Sequence, residues 1–138
     1  MKIDFAVACD YAVVDQYGKL SVLGIFQHIW VGQFPVVHPR LHLVLRLKGR
    51  RTEIGDHQVR IRLCDEDGNK IIKGDGTVAF SEPPAGVTEI EAGCVLVFDV
   101  PFQRAGRYCF AITVDDDVAT EVPITVAQGP PRRARPSS

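Results

Sequence analysis

Apolar and polar residues alternate along much of the chain with a period of two, the pattern of strands that bury one face. It is plainest at 40–48, where Leu41, Leu43, Leu45 and Leu47 fall on one side and His42, Val44, Arg46 and Lys48 on the other. Val59, Ile61 and Leu63 repeat it against Gln58, Arg60, Arg62 and Cys64, as do Tyr108, Phe110, Ile112 and Val114 against Cys109, Ala111 and Thr113. The pattern predicts eight strands, at 2–14, 20–31, 40–48, 57–65, 70–80, 89–100, 108–115 and 118–127. Asp15-Gln16-Tyr17-Gly18, Asp67-Gly68-Asn69 and Asp115-Asp116-Asp117 supply turn chemistry between them, which favours antiparallel hairpins over helical crossovers. No apolar pattern at helical spacing competes. The expected class is all-β, a sandwich or barrel, with an antiparallel two-sheet sandwich preferred.

Composition agrees: 18 Val and 10 Ile stand against 8 Leu and 1 Met, and β-branched side chains suit a pleated sheet better than a helix. The 138 residues fit one domain. That domain is expected over 1–128, followed at 129–138 by a flexible tail with three Pro and three Arg. No stretch approaches the roughly 18 apolar residues of a membrane span. Only eight residues, interrupted by Asp4, precede the faintly lipoprotein-like Cys9, too few for a secretion signal. A soluble cytoplasmic protein is expected.

Catalytic and metal chemistry find little footing. No C-x-x-C pair, H-E-x-x-H, G-x-S-x-G, phosphate-binding glycine loop or dinucleotide fingerprint is present. Asp65-Glu66-Asp67-Gly68-Asn69 alternates carboxylates as a calcium loop does, but Lys70 and Gly76 stand where such a loop needs Gly and Glu. The four cysteines are expected to be free thiols, and neither cofactor nor metal is expected.

Charge is informative by its distribution. The net charge is -1, yet 40–62 holds seven Lys or Arg against Glu53 and Asp56, whereas 63–128 holds four basic and twelve acidic residues. If the third and fourth strands pair as a hairpin, Arg46, Lys48, Arg60 and Arg62 share one face, where like charges repel. Either carboxylates of a neighbouring strand, such as Glu89, Glu91 and Asp99, neutralise them, or an anionic ligand does. Nucleic acid is disfavoured because no aromatic residue interleaves with these charges.

Some strands carry apolar residues on both faces. Leu23, Ile25, Ile29 and Val31 oppose Leu20, Val22, Phe26 and Trp30, and Val95 and Val97 oppose Leu96 and Phe98. A sandwich needs one buried face per sheet, so the surplus implies either a cover, for example the loop at 32–39, or a partner surface formed by Leu23, Ile25, Ile29, Val95 and Val97.

The run Phe5-Ala6, Cys9-Asp10-Tyr11-Ala12, Gly18-Lys19-Leu20-Ser21, Gly24-Ile25-Phe26, Phe34-Pro35, His38-Pro39-Arg40, Asp67-Gly68 and Gly106-Arg107-Tyr108 resembles an uncharacterised family of short bacterial proteins, a domain of unknown function. The likeness covers residues 1 to about 127. It implies a bacterial cytosolic immunoglobulin-like sandwich and carries no activity or catalytic residue. Gly106-Arg107-Tyr108-Cys109-Phe110 also looks like a tyrosine corner, with Phe110 where immunoglobulin domains place a core Cys. The expected function is a non-enzymatic interaction module that binds a protein partner or a second copy. The alternative is a binding domain for a small anion held by Arg46, Lys48, Arg60 and Arg62.

Overall fold

In the computed structural model, which describes residues 1–131, nine strands form two sheets. The four-stranded sheet has the order β2-β1-β4-β7, with β1 at Lys2–Val14, β2 at Leu20–Phe26, β4 at Val36–Arg50 and β7 at Glu89–Phe102. The five-stranded sheet has the order β3-β9-β8-β5-β6, with β3 at His28–Val31, β5 at Gly55–Asp65, β6 at Lys70–Phe80, β8 at Gly106–Val114 and β9 at Val118–Gln128. Every neighbouring pair is antiparallel except β3 and β9, which run parallel. A three-residue 3-10 turn, Arg51–Glu53, is the one helical element among the described residues.

The alternating strands behave as their pattern requires. Leu41, Leu43, Leu45 and Leu47 of β4 face Leu63, Phe110 and Ile112 of the other sheet across a single core, all of them buried. Each such side chain contributes about 1.5–3 kcal/mol relative to exposure, so this β4, β5 and β8 centre anchors the domain. β4 starts earlier than its alternation indicates because a bulge between His38 and Leu41 re-aims the chain. Arg40 there has φ 53°, and its amide donates to Asp99 Oδ1 at 2.9 Å. At the far end Tyr108 donates its hydroxyl to the Arg104 carbonyl at 2.6 Å, four residues back.

Two expectations fail here, both because the chain changes sheets. The strand expected at 20–31 is two strands: at Gln27, whose carbonyl accepts the Thr125 amide at 2.8 Å, the chain leaves the edge of one sheet for the edge of the other. Ile29, expected on the outer face beside Leu23 and Ile25, therefore lies in the core, as does Val31. The third and fourth expected strands, β4 and β5, do not pair as a hairpin, because the chain crosses between the sheets through Arg51–Glu53. The tail expected at 129–138 lies outside the described residues from 132 onward; Gly129 is still tied to β3, its amide donating to Val31 O at 2.8 Å.

Candidate functional site

The outer face of the four-stranded sheet is where the surplus apolar residues collect. Val44 and Cys9 point away from the sandwich core yet are fully buried, and with Ala12 they form a second small core against Phe5, Val7, Leu20, Val22 and Val95. Their cover is the β1-β2 hairpin itself. A Cβ placed on Gly93 of β7 would sit 3.4 Å from Leu20 Cδ1 and 3.5 Å from Val14 Cγ2, so the hairpin doubles back over β4 and β7. The doubling occurs at Asp10 and Tyr11, where opposite Asp10 the partner strand has Gly24 at φ 69° with the Asp10 carboxylate packed on its Cα. Any Cβ there would collide with that carboxylate, and positive φ already disfavours other residues.

Because the hairpin covers the sheet with one face, its other face meets solvent. Tyr11 pairs with Leu23, and Val13 and Ile25 flank them. The Tyr11 ring packs over buried His42 with centroids 5.4 Å apart, and His42 pairs with Val97 on the far side. Leu23 is 64% exposed, Ile25 62%, Val97 50%, Tyr11 49% and Val13 42%. Of the five interface residues expected from sequence, Leu23, Ile25 and Val97 thus share one surface. Ile29 belongs to the main core, and Val95 is half-buried beneath the hairpin. Tyr11 and Val13 were missed, although their alternation with Cys9 was visible; the doubling back that separates them from Cys9 was not. The loop at 32–39 does not cover this face: Phe34 and Val36 pack on the main core, while Val37 is exposed.

The four basic residues split between the two sheets. Arg46 and Lys48 lie outward on β4, where Asp4 of β1 stands 3.7 Å from each and Glu91 of β7 closes on Arg46. A neighbouring strand supplies their counter-charge. Arg60 and Arg62 lie outward on β5, on the opposite side of the molecule, and Arg60 reaches Asp116 at 3.7 Å. The structure does not bring the four into one site.

The remaining reactive groups are engaged in structure. His57 places Nδ1 2.5 Å from Asp115 Oδ2 and Nε2 2.7 Å from the Glu53 carbonyl. Both neighbours only accept, so the two contacts favour the protonated ring, in which both nitrogens donate. Burial opposes that charge, but the Glu53 carbonyl and the Asp115 carboxylate outweigh it and raise the pKa above its ordinary value. His42 Nδ1 lies 2.8 Å from the Arg40 carbonyl. Burial pushes the Cys9 and Cys94 thiols up, away from thiolate. Among the described residues no three His, Cys, Asp or Glu side chains gather as a metal site, and no helix is long and apolar enough to cross a membrane.

No curated protein matches the chain. One solved structure, the β-glucosidase from Listeria innocua in complex with isofagomine, is similar at a TM-score of 0.47 and 13% identity, over 75% of this chain and 15% of the glucosidase chain. A family model described as a family of unknown function, DUF6941, matches residues 4–127, and the chain belongs to that family.

Proposed function

We propose that this protein is a non-enzymatic cytoplasmic interaction module that docks a protein through the outer face of its β1-β2 hairpin, the occupant being a second copy of the chain. The carrying observation is the grouping of Tyr11, Val13, Leu23, Ile25 and Val97 in solvent directly above a fully covered second core. Together they expose about 500 Å², the upper end of the largest apolar patch on ordinary monomers. Two copies meeting face to face would bury about 1,000 Å², the lower bound of a specific interface. A contact of that size is one of a weak, reversible dimer. The five residues carry no charge, so a two-fold contact brings no like charges together, and isologous pairs are the commonest oligomers. The engagement of His57, His42, Cys9 and Cys94 in structure supports the non-enzymatic reading.

The same reading takes the sandwich as immunoglobulin-like, supported by the Tyr108 to Arg104 hydrogen bond at the start of β8. Sedimentation velocity over a micromolar concentration series tests the function. The weight-average mass should rise toward the dimer, and Ile25→Asp should hold it at the monomer with the fold intact. A monomer throughout, or a dimer unaffected by Ile25→Asp, refutes the proposal.

A further inference from the structure

The outer face of the five-stranded sheet holds a basic cluster that the fold neutralises only at its Arg60 end. Arg62 of β5 stands directly opposite Lys73 of β6 on one side and Ala111 of β8 on the other. One bulge further along, Lys70 pairs with Cys64. Arg60, Arg62, Lys70 and Lys73 line one depression of about 390 Å³, with Thr113 and Gly74 between them and Asp75 and Asp116 at one rim. Arg60 meets Asp116 and stands directly opposite Asp75 of β6. Neither Arg62, Lys70 nor Lys73 has an ion pair or side-chain hydrogen bond among the described residues.

The contrast with the other sheet gives this cluster its meaning. Arg46 and Lys48 are equally outward and basic, yet Asp4 and Glu91 neutralise them. Like charges directly opposite on paired strands are destabilising, so the Arg62 and Lys73 pair is a standing cost that an anion would relieve. Arg offers a planar fork suited to two oxygens of one group, and Lys adds point charges around it. Small Ala111 and Thr113 on the β8 side leave room beside the guanidinium. Asp75 and Asp116 close one side to further negative charge, which selects a compact anion over an extended polyanion.

We propose that Arg62, Lys73 and Lys70 form a binding site for a phosphoryl dianion, independent of the apolar face and of self-association. The group comes either from free phosphate or from a phosphorylated residue of a partner protein.

Amide-detected NMR titration tests the site, with ionic strength held constant by chloride. The probes are inorganic phosphate, a phosphoserine peptide and the same peptide without phosphate. Inorganic phosphate should produce saturable shifts at Arg62, Lys73 and Thr113. Arg62→Gln should weaken binding about tenfold, the scale of a lost charge-assisted hydrogen bond, while Arg46→Gln leaves it unchanged. Both side chains are exposed or ion-paired at the surface, and an otherwise unchanged spectrum verifies folding. Tighter binding of the phosphoserine peptide than of phosphate assigns the group to a partner protein, and equal binding assigns it to the free anion. Linear shifts that never saturate, or equal losses from Arg62→Gln and Arg46→Gln, would overturn the site.

Discussion

Val44 and Val97 both point outward from the four-stranded sheet, and an uncovered sandwich would treat them alike. Here Val44 is fully buried beneath the hairpin, whereas Val97 is half exposed. Val44→Ala removes two methyl groups, a transfer loss of about 1.6 kcal/mol at ~0.8 kcal/mol each. The void of roughly 50 Å³ left under the hairpin adds about 1 kcal/mol at ~24 cal/mol per Å³. The expected destabilisation is therefore about 2–3 kcal/mol, a fall in Tm of roughly 10 °C for a domain of this size. Val97→Ala should cost less than about 0.5 kcal/mol, as surface changes usually do. Urea unfolding of the two variants beside the parent, at concentrations where the protein is monomeric, measures the difference. Equal small losses would mean that the hairpin does not press on the sheet, and the second core would have to be abandoned.

Ile29→Asp should prevent folding because it buries an unpaired charge, whereas Ile25→Asp should leave the monomer's unfolding free energy within about 0.5 kcal/mol of the parent; circular dichroism and urea melts separate them. The His57 contacts contribute stability in full below the ordinary histidine pKa of about 6.5 and lose it as pH rises through the raised folded-state value. Unfolding midpoints from about pH 5 to about pH 9 should show that loss, and His57→Gln should flatten it. A parent profile already flat would remove the imidazolium. Cys64 and Cys109 are directly opposed, but the Asp115 amide to Gln58 carbonyl bond at 2.9 Å sets the ladder so that theirs is a hydrogen-bonded pair. Their Cβ atoms are then about 5.5 Å apart, beyond the ~4.5 Å limit of a disulfide. Titration of denatured, unreduced protein should therefore count all four thiols.

Where structure depends on neighbours two residues apart, the sequence was readable. The leucines of β4, the Val59 to Leu63 run and the Tyr108 to Val114 run bury the side their alternation names. Changes of sheet were not readable, since nothing local distinguishes Gln27 from a residue within a continuous strand. Ile29 shares the parity of Leu23 and Ile25, and only the crossing turns it inward. The short link after β4 looked like a hairpin turn and instead crosses the sandwich, which separated Arg46 and Lys48 from Arg60 and Arg62. Lys70 and Lys73 have opposite parity in the sequence. The register shift between Leu63 and Cys64 puts them beside Arg62, and that shift is a property of the pair of strands, not of either alone.

The most direct test of the docking face is an isotope-filtered NOE experiment on an equal mixture of carbon-13-labelled and unlabelled protein, at a concentration where the dimer is populated. Cross-peaks between the Leu23 and Ile25 methyl groups of one copy and the Tyr11 ring of the other are the predicted result. A populated dimer whose intermolecular cross-peaks come from any other surface, or a sample with none at all, would contradict it.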